Sequence, residues 1–252
     1  DFSFFKYIKF LVLKNKNRPK PRILNKKIKN AIFISDFVSS KFNKYTFFNK
    51  KTIFPFLNDL ENLKFKKKFV KETKIFNCVY LGQIEKHKGV YELCSYINEV
   101  NIHYGYDKVK LDIYGNSLSG LDTEIILNFK SFVTIINNKP RDLILDSLHK
   151  YDVGFCPSIW EEPLATTQME MLGAGLPILS SGTGGNKEHS INNNLIFYED
   201  KTSFKNKLIH LLNNYEEDGR NLSRLARRTA NEIFTSAVYL NKINNFFNEV
   251  VK

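Results

Sequence analysis

Between residues 75 and 200, short apolar runs alternate with longer stretches of helical spacing. Ile75 to Leu81 (IFNCVYL) reads as a strand stopped at Gly82. Gly89 to Val100 then puts Val90, Leu93, Cys94 and Ile97 on one helical face. Val109 to Tyr114 predicts a second strand, Leu121 to Phe129 a second helix, and Phe132 to Ile136 a strand ended by Asn137 and Asn138. Arg141 to Lys150 predicts a helix with Leu143, Leu145 and Leu148 turned inward. Asp152 to Cys156 is a strand halted at Pro157, and Pro163 to Gly173 a helix with proline in its first turn. Leu176 to Leu179 and Leu195 to Tyr198 are further strands, and residues 201–214, 216–233 and 236–251 have helical spacing. Earlier in the chain, Ala31 to Ser35 and Lys51 to Phe56 read as strands. Ser35 followed by Asp36 starts like a capped helix.

Strand and helix repeated in this way predict an α/β domain, a doubly wound parallel sheet covered on both faces, over about residues 72–235. Ligands of such sheets sit outside the carboxyl ends of the strands. The positions of interest are therefore Gly82 and Gln83, Gly115 and Asn116, Asn137 and Asn138, Pro157 and Ser158, and Ser180 to Gly185.

Charge divides the chain. Residues 1–71 carry 19 basic and four acidic residues, whereas residues 72–252 carry 19 basic and 22 acidic ones, for a net +12. The basic part does not complete a domain by itself. Such a segment suits nucleic acid, an anionic membrane surface or an acidic substrate, and equally a solvated lysine-rich face. Residues 1–30 hold ten Lys and Arg with Asp1 as their one acid, and Phe4, Phe5, Ile8, Leu11 and Val12 could line one side of a short helix. That pattern fits peripheral attachment to an anionic membrane, or packing under another domain. No motif points to nucleic acid, so none is expected as a partner. No run reaches the ~18 uninterrupted apolar residues of a membrane span. The three cysteines form no CxxC pair, and Cys78 and Cys156 fall in strand runs as buried thiols, so a reducing cytoplasm is expected.

The chemistry concentrates in residues 156–191. Glu162 and Glu170 flank a predicted helix that opens at Pro163, and the spacing of just over two turns puts both carboxylates on one face. The free amides and positive dipole end at the helix start suit a diphosphate, and the small residues Ala165, Thr166 and Thr167 allow close approach. Two carboxylates beside a phosphate cradle match the ribose, diphosphate and hexose of a nucleotide sugar. The competing reading is two exposed glutamates on an ordinary amphipathic helix.

Over about residues 30–250 the chain resembles group 1 glycosyltransferases (family 4, GT-B fold). The resemblance rests on Leu81-Gly82 with Lys88-Gly89, Asp112 to Gly115, Asp152-Val153, Pro157-Ser158, Glu162-Pro163, Glu170-Met171, Gly173 to Pro177, Gly184-Gly185 and Glu188. It implies a nucleotide-sugar-binding C-terminal domain over 72–252, preceded in 1–71 by a basic remnant of an N-terminal acceptor domain and its linker. It assigns Glu170 to the ribose hydroxyls, Glu162 to the transferred sugar and Lys88 to the diphosphate. Family members also carry an arginine beside this lysine. Here Gln83 stands five residues before Lys88, a neutral donor in place of a second cation. No DxD pair occurs, so a metal-free site without a cofactor is expected. The implied reaction is retaining transfer of a hexose-type sugar to a glycan or lipid-linked acceptor, in surface polysaccharide synthesis at the inner face of the membrane. A nucleotide-sugar-binding module with impaired catalysis and a basic membrane-surface binder are the alternatives.

Overall fold

The computed structural model describes residues 29–42, 49–57, 60, 63–65, 69 and 75–251. The basic segment 1–28 and its membrane reading lie outside the described residues. Six strands form one parallel sheet in the order β5-β4-β3-β6-β7-β8. They are β3 (Phe76–Leu81), β4 (Val109–Tyr114), β5 (Val133–Ile136), β6 (Val153–Cys156), β7 (Ile178–Ser180) and β8 (Ile196–Phe197). A separate parallel pair joins β1 (Asn30–Phe33) to β2 (Asn49–Thr52). Among the described residues the helices are α1 (Asp36–Lys41), α2 (Val90–Tyr104), α3 (Leu121–Phe129), α4 (Arg141–Ser147), α5 (Thr166–Gly173), α6 (Lys201–Asn213), α7 (Arg220–Ile233) and α8 (Ser236–Val251). A single π turn, Tyr215–Gly219, separates α6 from α7.

The period of two along β3 builds both cores at once. Cys78 and Tyr80 face the layer of Val90, Leu93, Ile97, Phe204 and Leu208, while Val79 and Leu81 face Met169, Leu172, Ala226, Ala230 and Phe234. Leu57, Leu60 and Leu63 pack in that second layer, and Phe69 in the first. The two cores therefore reach back into the basic part of the chain. The strand order reverses between β3 and β6, and this reversal opens the crevice at the carboxyl edge.

Several predicted boundaries move for physical reasons. The strand expected over Lys51 to Phe56 is β2, Asn49–Thr52. It ends because Ile53 turns into the core, where its N–H donates to Phe33 O, and because Pro55 has no N–H to continue a ladder. Leu143 is not turned inward but is 53 % exposed, since the helical run breaks after Ser147 and a 3-10 turn delivers Leu148 to the core instead. The helix expected from Pro163 begins at Thr166. Glu162 therefore lies on a loop, and the shared helix face proposed for Glu162 and Glu170 does not exist.

Candidate active site

Two glycines let the strand ends converge on the crevice. Gly89, with φ of 68°, sits where a Cβ would overlap the Pro157 carbonyl oxygen, so the loop after β3 can meet the loop after β6 only without a side chain there. Gly115 plays the same part toward the Gly82 carbonyl. The loops are then tied by His87 O, which accepts from the N–H groups of Ile159 and Trp160.

This convergence brings Lys88 to Glu162. Lys88 Nζ lies 2.5 Å from Glu162 Oε1, and Ser158 Oγ donates to the same oxygen at 2.6 Å. Burial pushes the Glu162 carboxyl up, but hydrogen bonds from Lys88, Ser158 and Trp160 outweigh it and hold the group below the usual carboxylate range. Glu162 is therefore an anion with a cation fixed beside it. Trp160, 47 % exposed, stands edge-on to His87 at 5.5 Å, with Lys88 Nζ 5.7 Å from its ring.

Lys88 and Glu162 share a cavity of about 270 Å³ with Gly82, Gln83, Ala165, Thr166 and Thr167. Seven of the residues chosen from sequence thus meet in one place. The amide of Ala165 donates to Asn186 Oδ1 at 2.8 Å, but those of Thr166 and Thr167 donate no hydrogen bond among the described residues. They remain as open donors at the start of α5. Gln83 turns its carbonyl to the Tyr80 hydroxyl at 2.9 Å.

The other four residues stand apart from this cavity. Glu170 is buried in α5, its Oε1 facing the Arg141 guanidinium at the start of α4. Gly115 serves as packing, Asn116 donates to Asn138 Oδ1 at 3.1 Å, and Asn137 is exposed on the same rim.

Two groups of residues support the site without having been chosen for it. Ser180 Oγ donates to Gln168 Oε1, and Gln168 Nε2 reaches both Asn186 O and His189 Nδ1, all buried. This network fixes the start of α5 against the loop after β7. The second group is a clamp from α1. Glu188 accepts from the N–H groups of Asp36 and Phe37 at 2.7 Å each, Ser35 Oγ donates to Pro163 O at 2.6 Å, and Lys41 pairs with Glu161. The Asp36 and Glu188 partners are 152 positions apart, so only the Gly184-Gly185…Glu188 spacing hinted at them. Glu188→Ala strips the acceptors from two first-turn amides and is expected to lower stability by about 1 kcal/mol. An unchanged urea midpoint would refute the clamp.

The family model for glycosyl transferases group 1 matches residues 59–229. The chain belongs to this family. It is 36 % identical over 111 residues to spore coat protein SA of Bacillus subtilis, spanning 42 % of this chain and 29 % of that protein. The chain thus spans less than a third of this curated relative. A glycosyltransferase from Rickettsia africae superposes with a TM-score of 0.75 at 18 % identity, over 94 % of this chain and 69 % of the other. Anabaena Alr3699/HepE in complex with UDP and glucose gives 0.75 at 15 %, over 90 % and 65 %. These structures share the parallel α/β fold of GT-B glycosyltransferases. Among the described residues no helix is long and apolar enough to cross a membrane.

Proposed function

We propose that this chain carries the donor-binding part of a retaining, metal-independent glycosyltransferase. It would move a hexose-type sugar from a nucleoside-diphosphate sugar to a glycan or lipid-linked acceptor, in surface polysaccharide synthesis beside an anionic membrane. One observation carries the reading: Lys88 and Glu162 meet at 2.5 Å in a cavity that Thr166 and Thr167, at the start of α5, also line. As the bond from the anomeric carbon to the diphosphate oxygen breaks, negative charge grows on that oxygen. Lys88 and the amides stand ready for it without reorganising, and Glu162 faces the hydroxyls and the positive character of the departing sugar. Glu170, with Arg141 beside it, takes the ribose hydroxyls. The acceptor hydroxyl supplies the new bond, and its proton leaves with the diphosphate.

Gln83 favours a second reading, a nucleotide-sugar-binding module with impaired catalysis, because it places a neutral side chain where a second cation would aid departure. Calorimetry on this chain with UDP, GDP and ADP separates the possibilities. Saturable binding of one diphosphate, equal in EDTA and in magnesium, is expected. Absence of heat with all three would remove the donor site, and binding only with magnesium would remove the metal-free mechanism. Transfer by the full enzyme then decides between catalyst and module.

A further inference from the structure

Trp160 is the single tryptophan of the chain, and the loop from β6 to α5 carries it to the surface, 47 % exposed. A lone apolar side chain on a surface needs no explanation. This one differs in being held. Its indole N–H donates to the Glu162 carboxylate, and its backbone N–H donates to His87 O at 3.3 Å. The His87 ring stands against it at 5.5 Å with the planes at 79°, and Lys88 Nζ lies 5.7 Å from its ring centre. Three residues of two loops thus fix an indole that still leaves nearly half of itself to solvent.

Its place decides what it can serve. Trp160 touches Lys88 and Glu162, yet it is not among the residues that line the donor cavity. It stands at the mouth, beside the carboxylate that faces the departing sugar. The charges around it pair off, Lys88 with Glu162 at 2.5 Å and Glu161 with Lys41 at 2.7 Å, so nothing there selects an anion or a cation. A flat, fixed, aromatic surface ringed by polar groups suits a neutral ligand with one C–H face and a hydroxyl edge. The negative face of an indole attracts the partly positive C–H groups of a pyranose, and tryptophan gives a large contact area at little cost in side-chain freedom.

We propose that Trp160 is the acceptor platform, stacking on the C–H face of the acceptor's terminal pyranose and so setting which acceptors reach the reacting carbon. That use rests on the donor reading above, whereas the stacking itself does not. The single tryptophan makes the test direct, because the ¹⁵N-labelled chain gives one indole N–H cross-peak in its NMR spectrum. Methyl α-glucopyranoside, methyl α-mannopyranoside, methyl β-galactopyranoside and N-acetylglucosamine are titrated through the millimolar range, each with and without saturating UDP, with cyclohexanol as the apolar control. At least one glycoside moves the cross-peak saturably with UDP present, and cyclohexanol does not. Saturation-transfer NMR then compares two variants whose folding is checked by melting temperature. Trp160→Phe, which keeps an aromatic face, retains the glycoside signal. Trp160→Gln, which keeps an N–H for Glu162 but no ring, weakens binding by about tenfold. The inference is overturned if no glycoside moves the cross-peak, if UDP abolishes the movement and so assigns the ring to the donor, or if cyclohexanol acts alike. It is equally overturned if Trp160→Gln binds as wild type does, or if Trp160→Phe loses as much as Trp160→Gln. Failure of UDP to bind would sink the donor reading and leave the stacking result standing, whereas UDP binding without any glycoside response would sink this inference alone.

Discussion

Lys88→Ala is expected to weaken nucleoside-diphosphate binding by about 10- to 100-fold, the range of one charge-assisted hydrogen bond lost. The loss has two sources in the geometry. The cation that meets the diphosphate disappears, and Glu162 is left as an anion held only by Ser158 and Trp160 beside the donor. In a complete enzyme the rate of transfer should fall further, by about 10²- to 10³-fold, because the charge on the leaving oxygen loses its nearest counter-charge. Calorimetry with the preferred diphosphate reads the first effect and single-turnover kinetics the second. Wild-type affinity in the variant would show that Lys88 serves only the loop and not the ligand.

Mild acid should destabilise the chain through one histidine. His189 is buried, with Gln168 at Nδ1, no partner at Nε2 among the described residues, and the rings of Phe54 and Phe234 at 6.0 and 5.2 Å. Burial pushes its pKa from the ordinary 6.5 down to about 3. The unfolded chain takes up a proton below 6.5 that the folded chain refuses. Stability from this group is therefore complete above that pH and is lost as pH falls toward about 3. The slope is ~1.4 kcal/mol per unit, which gives about 2 kcal/mol lost between pH 7 and pH 5. Urea unfolding at the two pH values measures it. The same pH difference in His189→Phe, whatever that variant's own stability, would show that another group is responsible.

The sequence pattern was most readable where one periodicity dominates. Val109–Tyr114 and Leu121–Phe129 fall where alternation and helical spacing put them, because each buries one face without interruption. Reading failed where a tertiary contact competes with a local preference. Pro163 suits a first helical turn, but its carbonyl is needed by Ser35 Oγ and its backbone is crowded against Gly185, so the helix waits until Thr166. Glu162 still reaches the cavity, through Lys88 and Ser158 instead of through a helix face. Glu170 sits on α5 as expected, yet its pairing with Arg141 joins elements whose distance in sequence hides it. Gln168, Asn186 and His189 were legible only as polar residues in a rich stretch. Their mutual burial is a product of packing between α5 and the loop after β7.

All three thiols of the chain, Cys78, Cys94 and Cys156, are buried and outside any disulfide, and burial drives the Cys156 thiol up to about 12 and that of Cys94 higher still. A maleimide or an alkylating reagent therefore finds no target on the native surface. Each thiol becomes reactive only when the surrounding layers part, so the chain carries three built-in timers of its own opening. They are spread over β3, α2 and β6, and a fluorophore could be placed at will on an introduced surface cysteine without competition from the natural ones.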